Sequence, residues 1–177
     1  LGPSALGLLA PDVALTDPSP TMPSLPRLVF MGTADLAATV LRRLVADPRW
    51  QVVLAVSQPD RPKGRDLVLQ PTPVKQAALE AGIPVDQPAK ARDTAFIERL
   101  RTLGPDLMVV AAYGQLLPQS LLDVPRLGCL NVHTSLLPAY RGAAPIQWAL
   151  ADGLAETGVT LMRMDAGLDT GPIVTTA

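Results

Sequence analysis

Cysteine, histidine and aromatic residues are scarce in this 177-residue chain: it holds one Cys, one His and two each of Trp, Tyr and Phe. A single cysteine excludes an internal disulfide. One cysteine beside one histidine argues against a zinc site of the Cys/His kind, so no metal is expected. So few aromatics cannot tile a base-stacking surface. An excess of charge of one sign is missing too, because 15 Lys and Arg offset 16 Asp and Glu for a formal charge of −1. That balance argues against a DNA-binding protein, or an RNA-binding one that works by bulk electrostatics, and leaves room only for a local basic patch. Although 48% of the residues are apolar, no uninterrupted run approaches the roughly 20 residues of a membrane span. The expectation is a soluble, cytoplasmic domain with one core that processes a small molecule or a macromolecule.

What is present divides at about Arg27. Residues 1–26 hold six prolines and no charge except Asp12 and Asp17. No basic segment precedes their apolar patch at Ala5 to Ala10, which argues against a signal peptide. The chain opens on Leu, and Met22 precedes the first strand-like run, so 1–26 are expected to be a disordered extension and 27–177 the functional domain. From Arg27 onward, apolar runs alternate with amphipathic stretches. Leu28 to Met31 reads as a short strand closed by Gly32. Leu36, Ala37, Val40, Leu41, Leu44 and Val45 then form one helical face, with Arg42 and Arg43 on the other side. Further strands are expected at Val52 to Val56, Leu107 to Ala112, Leu127 to Val132, Val159 to Met164 and Ile173 to Thr176. Helices are expected at Val74 to Ala81, from an N-cap at Asp93 to Gly104-Pro105, and around Ile146 to Ala151. Such alternation predicts an α/β fold, a Rossmann-like and mostly parallel sheet with helices on both faces. Ligands bind such sheets beyond the carboxyl ends of the strands. Gln58 to Pro73 is a proline-rich polar connection longer than ordinary loops of this fold, which suggests a functional or mobile segment.

Familiar nucleotide and hydrolase motifs are mostly absent. Gly32 stands where a dinucleotide fingerprint would begin, but a second glycine is missing and the next strand ends Val56-Ser57-Gln58 with no acidic residue. A tight turn accounts for Gly32, although the helix that follows could receive an anionic group at its N-terminus. The chain contains neither a P-loop nor a nucleophile elbow.

The chemistry-bearing segment is Gly128 to Pro138. Asn131 and His133 are two apart on a strand, so both side chains leave one face. A lone histidine at a strand end is, taken alone, more often a satisfied structural residue. Tyr140, Arg141 and Gly142 follow in a polar loop, and Asp169 stands between Gly167 and Gly171. Flanking glycines suit a backbone drawn close to a ligand. Asp169 could equally cap its own loop, and Asp165 is expected to do so.

At these residues the chain resembles the folate-dependent formyltransferases. The run NVHTSLLPAYRGAAPIQWAL, then ETGVTLMRMDAGLDTGPIV, is similar to the catalytic half of that family, and LVFMGTADLA, QPDRPKGR, PVK and DLMVVAAYGQLLP agree with it. Within the family, the basic loop and the AAPIQ context favour the branch acting on methionyl-tRNA. The resemblance implies transfer of a formyl group from 10-formyltetrahydrofolate to the amino group of initiator Met-tRNA, without a metal or a covalent enzyme intermediate. It implies a catalytic trio of Asn131, His133 and Asp169. Asn131 would donate to the developing oxyanion, a term of roughly 3–4 kcal/mol. His133 would donate to the same oxygen or move a proton to the leaving nitrogen, and Asp169 would orient the imidazole and help deprotonate the amine. It places the folate against Gln115, Leu116 and Leu117, closed by Gly167 and Leu168. It assigns the acceptor to Gly32, to the basic loop residues Arg61, Lys63 and Arg65, and to Ser135, Leu136, Leu137, Pro138, Tyr140, Arg141 and Gly142. Asp66 and the apolar Leu67-Val68-Leu69 make that loop less basic than the family's usual one, and Thr134 stands where glycine or alanine is common. Family chains continue into a β-barrel domain that helps bind tRNA, whereas this chain stops at Ala177 inside an expected strand; it is expected to be a fragment. A sugar-nucleotide formyltransferase, a 10-formyltetrahydrofolate hydrolase and a silent folate-binding module are the alternatives.

Overall fold

The computed structural model describes residues 24–63 and 68–177, with the side chain of Lys63 left out. The expected extension therefore lies almost wholly outside the described residues, as does Arg65.

The first elements of the described residues are β1 (Arg27–Gly32), α1 (Asp35–Val45) and β2 (Gln51–Val56). The two strands are rich in β-branched and large apolar residues, and they pair in parallel. A short hairpin follows, β3 (Arg61–Lys63) against β4 (Val68–Gln70). Helix α2 (Pro73–Glu80) starts where Thr72 accepts from the Lys75 N–H at 3.1 Å, with Pro73 at its first position. Next come β5 (Val85–Asp86) and α3 (Thr94–Leu103). The caps of α3 are those expected: Asp93 accepts from the Phe96 N–H at 3.0 Å, and Gly104 takes the left-handed conformation at φ 60°. The chain continues through β6 (Leu107–Ala111), α4 (Gln119–Leu122), β7 (Cys129–His133), α5 (Pro145–Ala151), β8 (Thr160–Arg163) and β9 (Ile173–Thr176).

Seven strands form one sheet in the order β5-β2-β1-β6-β7-β8-β9. The pairs from β5 to β7 are parallel, as expected, while β8 and β9 add antiparallel edges. The period-2 alternation of the central strands divides the core between the two faces. Leu28, Phe30, Val109 and Ala111 join Leu41, Val74 and Ala78 on one side. Val29, Met31, Met108 and Val110 join Phe96, Leu100 and Leu121 on the other. Each buried Val, Leu, Ile, Phe or Met side chain among them contributes roughly 1.5–3 kcal/mol through burial.

Three expectations need amendment. Residues 58–73 are not a plain loop, because they contain the β3–β4 hairpin. Strand β7 begins at Cys129 rather than Leu127, since Gly128 at φ 85° turns the chain just before it, and it runs on to His133. The strand expected over 159–164 is confined to Thr160–Arg163. Among the described residues, no helix is long and apolar enough to cross a membrane.

Candidate active site

Strand order decides where a cleft can open. From β1 the chain turns to one side through β2 and β5, then returns to the other side at β6. The loops after β1 and β6 therefore diverge and leave a crevice at the carboxyl ends of the strands. A cleft of about 720 Å³ occupies that position. Its walls come from the start of α1 (Ala34, Leu36), the segment after β6 (Ala112 to Leu117) and the end of β7 (Asn131 to Thr134). The turn into α5 (Gly142 to Gln147) and the β8–β9 connection (Met164 to Asp169) complete it.

Asn131 and His133 project from the end of β7, and Asp169 reaches them from the β8–β9 connection. The Asn131 amide donates to Asp169 Oδ1 at 3.2 Å, and the Gly142 N–H donates to Asp169 Oδ2 at 2.8 Å. His133 Nδ1 lies 3.6 Å from Asp169 Oδ2, within ion-pair range but too long for a hydrogen bond. The two side chains are only 7% and 12% exposed, so their attraction is weakly screened by water. On the other edge of the ring, Nε2 is 2.8 Å from the carbonyl oxygen of Tyr140. A carbonyl only accepts, so Nε2 is the donor. Asp169 holds φ at 51°, an uncommon backbone region for a non-glycine residue. Its carboxylate is spent on the cluster and not on its own loop. Asp165 plays the local part instead, accepting from the Gly167 N–H at 3.0 Å and the Thr170 hydroxyl at 2.8 Å.

Residues 26–177 match the family described as Formyl transferase. The chain belongs to this formyl transferase family. It is 52% identical over 148 residues to a methionyl-tRNA formyltransferase of Clostridioides difficile, covering 84% of this chain and 48% of that protein. It is 58% identical over 148 residues to the enzyme of the same name in Desulfotalea psychrophila, covering 84% of this chain and 46% of that protein. The chain thus spans about half the length of the curated relatives it matches. Among solved structures, glycinamide ribonucleotide transformylase 1 of Geobacillus kaustophilus superimposes with TM-score 0.68 at 28% identity, over 86% of this chain and 81% of that one. A formyltetrahydrofolate deformylase of Pseudomonas syringae does so with TM-score 0.65 at 25% identity, over 88% of this chain and 51% of that one.

The remaining residues singled out in this formyl transferase domain fall into three groups. Leu116 stands 80% exposed at the cleft, while Leu117 packs against the core. Gln115 lines the cleft, yet its amide is clamped to the 89–91 segment: Oε1 accepts from the Ala91 N–H at 2.8 Å and Nε2 donates to the Ala89 carbonyl at 3.3 Å. Gly167 and Leu168 form the opposite rim.

The second group builds the loop rather than lining the cleft. Ser135 is fully buried, and its hydroxyl donates to the Ala139 carbonyl at 2.6 Å. The Leu137 N–H donates to Thr160 Oγ1 at 3.0 Å, and Thr160 in turn donates to the Ser135 carbonyl at 2.7 Å. Leu136, Pro138 and Arg141 are exposed, and Tyr140 enters the site through its carbonyl. Gly142 alone of this stretch lines the cleft, beside Leu168.

The third group lies apart from the cleft. Gly32 is core: a Cβ there would come within 2.6 Å of Ala37 Cβ and 2.8 Å of the Ala111 carbonyl. Arg61 donates to Gln58 Oε1 at 2.8 Å, and Gln58 Nε2 donates to the Tyr113 carbonyl at 2.8 Å, so the hairpin is tied to the segment that becomes the cleft wall. Lys63 belongs to the hairpin backbone.

Sequence reasoning missed Ala34, Leu36, Val110, Ile146 and Met164 as cleft lining. Their apolar character reads equally as core, and only the topology separates the two. Burial also shifts two further titratable groups. Burial pushes the Cys129 thiol up to about 12, and burial first, then the Asp86 charge, pushes the Tyr113 phenol up to about 12. Among the described residues, His, Cys, Asp and Glu nowhere gather in the threes that could hold a metal.

Proposed function

We propose that this chain is the catalytic domain of a cytoplasmic methionyl-tRNA formyltransferase, moving a formyl group from 10-formyltetrahydrofolate to the amino group of initiator Met-tRNA. The observation that carries the reading is the convergence of Asn131, His133 and Asp169 at one end of a cleft with apolar walls. At about 720 Å³ the cleft lies in the usual size range of small-molecule sites. Leu116 and Leu168 suit the flat apolar body of a pterin, and the backbone around Gln115 to Leu117 suits its polar edge. 10-Formyltetrahydrofolate supplies the formyl carbon.

The chain's own groups do the rest. The Asn131 amide carries two protons and spends one on Asp169; the other is free for the formyl oxygen as that atom gains charge. His133 Nδ1 is the ring nitrogen left free by the Tyr140 contact; it takes the proton that the amine loses as the new C–N bond forms and delivers it to the folate N10 as the old C–N bond breaks. Asp169 stabilises the charged ring from 3.6 Å. The N–H of Gly142 fixes the carboxylate, so little reorganisation is needed as charge develops. Arg61 and Lys63 of the hairpin, together with Arg65 of the basic sequence stretch, would meet the tRNA backbone, where loss of a cation weakens binding and lowers its salt dependence.

The test supplies 10-formyltetrahydrofolate and charged initiator tRNA and measures formyl-methionine. Formate release without an acceptor would favour the hydrolase. Transfer only to a sugar nucleotide or another small amine would move the reading to a different formyltransferase. Folate binding with no transfer would leave a silent binding module.

A further inference from the structure

We infer that Tyr140 and Asp152 act together as a strut that fixes the orientation and tautomer of His133. This role rests on the catalytic reading of His133 above, but concerns residues outside the trio. The Tyr140 backbone sits at φ 55°, a left-handed conformation that a bulky residue adopts only where its surroundings hold it. Two residues further on, Gly142 is at φ 88°, and Ala144 follows at φ 58°. A loop bent in this way points one carbonyl inward, and it is the Tyr140 carbonyl that meets His133 Nε2 at 2.8 Å.

Three bonds fix the loop on either side of that carbonyl. The Ser135 hydroxyl closes on the Ala139 carbonyl at 2.6 Å, just before it. The Gly142 N–H closes on Asp169 at 2.8 Å, just after it. The Tyr140 phenol donates to Asp152 Oδ2 at 2.8 Å, at the carboxyl end of α5. Of the three, only the last ties the residue whose carbonyl is used, and it anchors that residue to a helix.

The consequence is chemical. With Nε2–H committed to a carbonyl, the neutral ring has its lone pair on Nδ1, the nitrogen that faces Asp169. A ring free to rotate or to exchange tautomers would present Nδ1 to Asp169 only part of the time. Tyr140 is therefore a positioning residue and not a contact for the acceptor, and Asp152 is its support.

His133 is the only histidine of the chain, so its ring nitrogens give an unambiguous pair of 15N signals. The experiment records imidazole 15N spectra of the full chain in the neutral state of the ring, for the unaltered protein, Tyr140→Phe, Asp152→Ala and Asp152→Asn. Circular dichroism confirms that each variant is folded. Formyl transfer is then measured for the same variants.

The unaltered protein is expected to show a slowly exchanging proton on Nε2. Tyr140→Phe and Asp152→Ala lose it to fast exchange with water, while Asp152→Asn, which keeps an acceptor oxygen, retains it. In transfer, the first two lower kcat on the order of 10-fold, with KM for the tRNA unchanged, because misplacing a reacting group by an ångström can cost up to about 100-fold. A protected proton on Nδ1, or an Nε2 proton equally protected in all variants, overturns the proposal. So does a raised KM at constant kcat, which would make Tyr140 an acceptor contact. Absence of transfer in the unaltered protein would instead sink the catalytic reading, and the spectra would still decide the strut.

Discussion

Replacing Asp169 by Asn changes the cluster while keeping its shape, which makes it the sharpest perturbation available. The carboxylate accepts from two donors, the Asn131 amide at 3.2 Å and the Gly142 N–H at 2.8 Å. An asparagine can turn its oxygen toward only one of them, and its own NH2 then opposes the other donor. The larger loss is the charge. With His133 Nδ1 3.6 Å away and both groups nearly buried, a carboxylate attracts an imidazolium by about 4–5 kcal/mol at an effective dielectric of about 20. The Tyr140 carbonyl still holds the other side of the ring and offsets part of that loss. Removing about 2–4 kcal/mol from the transition state slows transfer roughly 30- to 1000-fold, at about 1.36 kcal/mol per decade. Single-turnover formyl transfer to charged initiator tRNA reads this directly, with folate affinity measured in parallel and expected to hold. Full transfer by Asp169→Asn would refute the role assigned to the carboxylate.

Four further outcomes follow from the same geometry. Asn131→Ala removes the free amide proton and loosens Asp169, so kcat should fall by about 100- to 1000-fold; steady-state transfer assays check it. Gly32→Ala forces a Cβ to within 2.6 Å of Ala37 Cβ, and overpacking of this kind costs about 1–3 kcal/mol, read as a lowered Tm. Cys129 is buried with its thiol pushed up to about 12, so it stays protonated and should react with a thiol reagent only after unfolding; rapid labelling of the native protein would contradict that burial. Lys75 at 2.5 Å, and then Gln87 at 2.7 Å, hold the Asp60 carboxyl below its ordinary value. A depressed carboxyl adds stability that is complete above its unfolded pKa, near pH 4, and is lost as pH falls through the lower folded value. Asp60→Asn should therefore flatten the acid limb of a denaturation series below about pH 4.

Elements that bury a face were legible in the sequence. The spacing of Leu36 to Val45 marked α1 because it is dictated by the sheet it covers, and Asp93 and Gly104 marked both ends of α3 because their capping chemistry is local. Strand β5 has two residues and α4 has four, too few to show a period. The β3–β4 hairpin escaped because Val68 and Leu69 are exposed and Pro62 interrupts the pattern, so no alternation records a core face. The reversal of β8 and β9 depends on connections that leave no mark in side-chain type. In the site, Asn131 and His133 could be paired through their strand spacing, whereas Asp169 joined them only through a resemblance to known relatives. The Tyr140 carbonyl and the Gly142 N–H left no trace because they are backbone groups. Asp152 looks like any aspartate at a helix end until its partner is seen.

The most direct test of formyl transfer by this site is single-turnover formation of formyl-methionine on initiator tRNA from 10-formyltetrahydrofolate, by the unaltered protein and by its His133→Ala form. Stoichiometric transfer is expected of the first, and loss of transfer with retained folate binding of the second. Equal transfer by both would contradict the role of His133.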